Sequence, residues 1–155
     1  MITLEPIGIV KNSRKEISDD YWGGLISQII LNKNYGEDSL KGIEEFSHLE
    51  IIFYFDKVET GKIKSGASHP RSNPSWPEAG IFAQRGKNRP NQLGLTIVKL
   101  IKRESKILYV TGLDAIDGTP VLDIKPVIKE FLPFEEIKQP LWAAELMLNY
   151  WKSKS

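Results

Sequence analysis

A chain of 155 residues suits one domain, 1–155, with one hydrophobic core, since a globule of that size buries about 70% of the surface its unfolded chain exposes. Apolar residues at 41% and charged residues at 26% exclude disorder, and a formal net charge of +1 excludes a general pull on polyanions, so nucleic-acid binding would need a local patch. The absence of cysteine excludes disulfides, thiolate metal sites and a thiol nucleophile, and His48 and His69 are too few for a metal cluster without carboxylates.

The opening MITLEPIGIVKN reaches Glu5 and Pro6 before a long apolar run develops, so neither a signal peptide nor a membrane span is expected and a cytoplasmic location is the default. It reads as a strand, with Ile7 and Ile9 on one face and Gly8 and Val10 on the other. SDDYWGGLISQIILNK, residues 18–33, changes period. Trp22, Leu25, Ile26, Ile29 and Ile30 predict a short helix capped by Asp19 or Asp20, although Gly23 and Gly24 each cost about 1 kcal/mol there.

A helical turn is expected around Leu40, Ile43 and Phe46, followed by a central strand, Leu49 to Phe55, buried on both faces. Residues 59–80 are rich in Gly, Ser, Asn and Pro and predict a long loop, of the length that tends to be functional or disordered; its His69, Arg71 and Trp76 favour function. AGIFAQ (79–84) reads as a short strand, and residues 93–114 as two strands around Arg103-Glu104-Ser105. Asp117-Gly118 signals a tight turn before a strand over Val121 to Ile124. The final QPLWAAELMLNYWKS predicts a helix with Pro140 at its first position and Leu141, Trp142, Leu148 and Trp151 on two faces. Six or seven strands joined by hairpins and loops, with two or three helices, make the fold mainly β: an antiparallel β-barrel or sandwich with peripheral α-helices.

Two stretches carry candidate chemistry. RGKNRPN sets Arg85, Lys87 and Arg89 on a loop stiffened by proline, and rigid guanidinium groups suit a carboxylate or phosphate; the alternative is a solvated basic turn. LDAIDGTPVLDIKP carries Asp114, Asp117 and Asp123. Neighbouring carboxylates raise one another's pKa, bind a divalent cation or accept from hydroxyls and amines; the alternative is ordinary turn chemistry. HExxH, calcium-loop spacing, GxGxxG, GxxxxGK[ST] and GxSxG are all absent, so no metal is invoked. His69 reads as a base, an RNA-stacking ring or simply an exposed side chain, and His48 as a structural hydrogen-bonding residue.

GIFAQRGKNRPNQLGLT (80–96) and LDAIDGTPVLDIKPV (113–127) together resemble the TrmO/TsaA-like family, S-adenosylmethionine-dependent methyltransferases built on a β-barrel. GIEEFSHLEIIFYF and PIGIVKNSRKE are similar to that family's entry to a hydrophobic strand and to its first strand. The family's Thr-Arg-Ser-Pro is here Gln84-Arg85-Gly86-Lys87, its Pro-Ile is Gln92-Leu93, and its Tyr after the final Lys-Pro is Val127.

The resemblance implies a homodimer with S-adenosyl-L-methionine near the subunit interface. It also implies a pocket of Arg85, Leu95, Asp56, Lys57, Leu113, Asp114, Ile116, Asp117, Gly118 and Thr119. Arg89, Asn91 and Lys87 are implied to meet the substrate, and Asp117 or His69 to remove a proton. The implied reaction methylates the exocyclic nitrogen of N(6)-threonylcarbamoyladenosine beside the tRNA anticodon. A small-molecule or other RNA acceptor and a non-catalytic S-adenosylmethionine-binding module are the alternatives. Each reading requires residues 82–96 and 113–123 to share one cleft.

Overall fold

Strands with one apolar and one more polar face must bury the apolar face, and here six of them do so by closing into a barrel. The computed structural model describes residues 1–154. Its strands are β1 (Gly8–Lys11), β2 (Ile26–Leu31), β3 (His48–Tyr54), β4 (Ala67–Ser68), β5 (Ala79–Gly80), β6 (Leu93–Glu104), β7 (Ile107–Thr111) and β8 (Pro120–Pro126). Around the closed barrel the order is β1-β2-β7-β6-β3-β8, with every neighbouring pair antiparallel; β4 and β5 form a separate two-stranded ribbon. This is the antiparallel barrel that the sequence predicts, with less helix around it.

The interior is filled by alternate residues, as pleating demands. Val10, Ile29, Leu31, Leu49, Ile51, Phe53, Val98, Leu108, Val110 and Val121 are all buried, and the loop after β7 adds Leu113 and Ala115. Gly94 faces the same core, because a Cβ there would overlap the ring of Phe53. Gly8 serves similarly on β1: a Cβ would lie 2.5 Å from the Ile30 carbonyl oxygen across the ladder.

Four expectations require correction. Residues 18–33 hold no helix, and their second half is β2. The run ISQIIL places Ser27, Ile29 and Leu31 inward with complete ladders to β1 and β7, and its isoleucines favour a pleated strand over a helix. Gly24, at φ 76°, ends any helical path before it starts. Strand β3 is buried on one face only; Glu50, Ile52 and Tyr54 lie half-buried on the other, because the barrel is lined on its inside and not covered outside.

Within AGIFAQ only Ala79–Gly80 pairs, and Ile81–Ala83 is a 3-10 turn with Ile81 as its buried anchor. The sole α-helix among the described residues is α1 (Leu141–Leu146), with Pro140 as its N-cap rather than its first residue. After it, residues 149–152 bond to another segment: the amides of Tyr21, Trp22 and Gly23 donate to the carbonyls of Asn149, Tyr150 and Lys152. The expected helical turn near Leu40 is present as two 3-10 turns, Glu37–Leu40 and Ile43–Glu45. Residues 59–80 are looped as expected yet organised, with 3-10 turns and the β4–β5 ribbon closing them.

Gly94→Ala tests the inward packing. It is expected to lower stability by about 1–3 kcal/mol through overpacking against Phe53, read as a reduced urea midpoint. Gly66→Ala, with nothing within 4 Å of the added carbon, is the matched control with little change.

Candidate functional site

The loop between β7 and β8, residues 112–119, folds back over one end of the barrel. Gly112 (φ 81°) and Gly118 (φ 86°) supply the two left-handed corners it needs. Between them Leu113 and Ala115 point into the core, which forces Asp114 outward and fixes its position. The loop is pinned from β1: Gly118 N–H donates to the Val10 carbonyl at 2.8 Å, Asp117 N–H to Arg14 at 2.8 Å, and the Asn12 side-chain amide to Ala115 at 2.9 Å. The Thr119 hydroxyl closes the turn on the Ile116 carbonyl at 2.7 Å.

Asp114 and Asp117 therefore face different partners. One Asp114 oxygen accepts from the hydroxyl of Thr96, an inward-facing residue of β6, at 2.5 Å, and the other accepts from the hydroxyl of Tyr150. Asp117 accepts from Asn12 N–H at 3.0 Å and from the Lys15 ammonium at 2.7 Å. The hydrogen bond from Lys15, then that from Asn12, holds the Asp117 carboxyl below the usual aspartate range. Asp123, on β8, instead accepts from its neighbour Ile124 N–H and lies 3.7 Å from Lys125. The three carboxylates do not form one cluster.

The cationic loop reaches the Asp114 hollow through its first arginine. Arg85 donates to the Leu95 carbonyl at 2.5 Å, one residue before Thr96, so the cationic loop and Asp114 meet β6 at adjacent residues of a single chain. Leu95 is exposed on the outer face of β6, and Leu113 is buried in the barrel core. Arg89 turns inward on its own loop, donating to the carbonyls of Gln84 at 2.7 Å and Gly86 at 3.3 Å. Neither Arg85 nor Lys87 forms an ion pair among the described residues. Asn91, at φ 63°, occupies the left-handed corner after Pro90, a position asparagine tolerates. Asp56 and Lys57 follow β3 and are set beside this loop by paired bonds between Phe55 and Gln92; their own ion pair is loose at 3.8 Å.

His69 stands on the 59–80 segment. Its Nδ1 donates to the Trp76 carbonyl at 2.6 Å, leaving Nε2 as the unprotonated nitrogen of the neutral ring, 3.8 Å from Glu78. It shares no hydrogen bond or ion pair with Asp117. The segment is tied to the rest of the site by Trp76, whose indole donates to Glu145 of α1 at 2.9 Å, and by Arg71, which makes a two-pronged pair with Asp20 at 3.0 and 3.3 Å.

Of the two residues that hold Asp114, Thr96 lies inside the 80–96 motif and Tyr150 lies outside both motifs. Burial pushes the Tyr150 hydroxyl far above the ordinary phenol value, the Asp114 charge and their hydrogen bond push the same way, and Arg71 and Arg85 offset part of it. Tyr150 is thus a permanent donor, and two guanidinium groups are close enough to act on it.

Residues 20–131 match the family described as the tRNA-methyltransferase O N-terminal domain. The chain belongs to this family. A human tRNA (adenine(37)-N6)-methyltransferase is 44% identical over 116 residues, 75% of this chain and 26% of that protein. An S-adenosyl-L-methionine-binding protein of Archaeoglobus fulgidus is 34% identical over 126 residues, 79% of this chain and 86% of that one. Among solved structures, TrmO from P. aeruginosa superposes with a TM-score of 0.73 at 26% identity, covering 92% of this chain and 62% of that one. The chain spans about a quarter of the length of the mammalian relatives it matches.

Two positions where this chain departs from the pattern of the tRNA-methyltransferase O family have local work to do. Gln84 ties the β4–β5 ribbon to the cationic loop, donating to Ser68 at 3.0 Å and Ala79 at 2.8 Å. Gln92 locks the end of β3, donating to Phe55 at 2.7 Å.

The Lys15–Asp117 contact yields a signed expectation. With the folded-state pKa of Asp117 depressed, its stabilisation is complete above the ordinary aspartate value of about 3.9 and is lost as pH falls toward the folded value. Lys15→Met is expected to unfold at lower urea than the parent at pH 6, with the gap closing below about pH 4 as the aspartate protonates; paired urea titrations across that range read it.

Proposed function

We propose that this chain is an S-adenosylmethionine-dependent methyltransferase acting in the cytoplasm on the exocyclic nitrogen of N(6)-threonylcarbamoyladenosine beside the tRNA anticodon. One juxtaposition supports the reading: the exposed guanidinium of Arg85 bonds the backbone of Leu95, and the Asp114 carboxylate is oriented by the next residue, Thr96. The donor set fits S-adenosylmethionine. Arg85 pairs with its carboxylate, Asp114 accepts from its ribose hydroxyls or its ammonium, and Leu95 covers the adenine, with Gly118 and Thr119 shaping the loop behind. The bound cofactor supplies an electrophilic methyl group. Positioning provides most of the rate, so the chain's own task is to orient the acceptor and take up one proton.

For that proton the geometry favours His69 over Asp117. The imidazole has one nitrogen fixed as a donor and the other left to accept, whereas Asp117 is held ionised by Lys15 and is a weak base. Lys87 and Arg85 are the cations offered to tRNA phosphates, with Asn91 beside them, while Arg89 keeps the loop in shape. The archaeal relative named for binding alone favours a second reading, a non-catalytic S-adenosylmethionine-binding module.

A homodimer is part of the proposal. Leu93, Leu95, Ile97 and Ile101 form an exposed apolar row along the outer face of β6, and a second copy covers it, bringing the interface to Leu95 and the cofactor.

Labelled S-adenosylmethionine incubated with bulk tRNA at low salt is expected to mark tRNA containing the modified adenosine. Label confined to small molecules removes tRNA as substrate, and cofactor binding without turnover on any pool leaves the binding-module reading. Arg85→Ala is expected to weaken cofactor binding by about 1–3 kcal/mol in calorimetry, and unchanged affinity removes Arg85 from the site. In sedimentation the chain is expected to run as a dimer and Ile97→Glu as a monomer.

A further inference from the structure

We infer that Tyr150 is a positioning residue for the cofactor site, delivered by the C-terminal segment to orient the Asp114 carboxylate. The inference rests on the proposed role of Asp114 and extends it to a residue outside both sequence motifs.

A carboxylate on a loop rotates freely about its last bond, and a ligand that must be met in one orientation has to stop that rotation. Here the two oxygens are held separately, one by the Thr96 hydroxyl from inside the barrel and one by the Tyr150 hydroxyl from the C-terminal segment. Two anchors on two oxygens fix the plane of the group. Each oxygen keeps a further lone pair for a ligand hydroxyl or ammonium. A phenol in this place remains protonated, since burial and the adjoining carboxylate both oppose its ionisation.

The segment carrying Tyr150 is built to hold it there. Trp22 N–H donates to the carbonyl of Tyr150 itself at 2.8 Å, flanked by Tyr21 to Asn149 at 3.1 Å and Gly23 to Lys152 at 3.2 Å. Gly23 bridges to Ser153 in parallel fashion, and a Cβ at Gly23 would overlap the Trp151 carbonyl oxygen, so only glycine admits the strap. The receiving segment is anchored in turn. Arg14 stacks 3.7 Å over Trp22 and donates to the carbonyls of Tyr21 at 2.8 Å and Asp20 at 2.6 Å, while the Asp20 carboxylate holds Arg71. The Tyr150 ring packs edge-on against Trp151 at 4.9 Å, a contact that phenylalanine would retain.

The test compares Tyr150→Phe, Asp114→Ala, their double variant and Gly23→Ala by calorimetric titration with S-adenosylmethionine, alongside urea unfolding of each protein. Tyr150→Phe is expected to bind about fivefold more weakly, the worth of one ordinary hydrogen bond, with its urea midpoint little changed. The double variant is expected to bind no more weakly than Asp114→Ala alone, because the hydroxyl acts through that carboxylate. Gly23→Ala, which lifts the strap, is expected to show at least the loss seen in Tyr150→Phe. Parent-like affinity in Tyr150→Phe beside a clear loss in Asp114→Ala overturns the inference and leaves the site standing. Parent-like affinity in Asp114→Ala overturns both. Tighter binding in Tyr150→Phe, or losses that add in the double variant, also overturns it, since the segment would then obstruct the site or act independently of Asp114.

Discussion

Burial of Leu113 and Ala115 at the end of the barrel is the constraint from which the site follows. Alternation along an extended loop sends the residue between two buried ones outward, so Asp114 has no choice of direction once its neighbours are in the core. Without the closed barrel there would be no apolar end for those two side chains to enter. Without the bonds from Val10, Asn12 and Arg14 the loop would be free to leave it. Asp117 serves this arrangement from beneath, ionised against Lys15 and holding the first strand's exit beside the loop.

The same dependence explains why the site joins residues far apart in the chain. Strand β6 brings Leu95 and Thr96 beside the hollow because it pairs with β3 along its first half and with β7 along its second. The β7–β8 loop then meets it directly. The C-terminal segment reaches the hollow only because three amides at residues 21–23, just ahead of β2, have no ladder partner in the barrel and take carbonyls from residues 149–152. The helix α1 ends at Leu146, ahead of these carbonyls. Its early end lets the chain return to the site.

Much of this was legible in the sequence where local pattern and tertiary demand coincide. The alternation in β1, the apolar run of β3 and the turn-bounded strands β6–β8 point to an antiparallel barrel or sandwich, and the family resemblance is what joins the two polar loops. Residues 18–33 misread because Trp22, Leu25 and Ile29 fall at helical spacing by coincidence. The decisive facts there are pairings to β1 and β7, which are nonlocal, and a left-handed corner at Gly24. Tyr150 was illegible for the same reason. Nothing near it in the chain is acidic at helical spacing to reveal the partner, and its carboxylate lies 36 positions away. Thr96 sits inside a recognised motif yet looks like any strand threonine until Asp114 is placed opposite it.

The three cations of the central loop divide their labour along a gradient from structure to availability. Arg89 spends its guanidinium on two carbonyls of its own loop, and that internal brace replaces the backbone ladder which the loop lacks. Arg85 uses one nitrogen on the Leu95 carbonyl, which fixes the direction of the planar group while leaving its other donors for a ligand. Lys87 forms no ion pair among the described residues and carries its charge on a flexible four-carbon stem. A fork held in one orientation discriminates a carboxylate from other anions, whereas a flexible ammonium attracts phosphate with little regard to direction. One short loop thus combines a guanidinium held in one orientation with an ammonium that forms no ion pair among the described residues, even though the chain as a whole is nearly neutral.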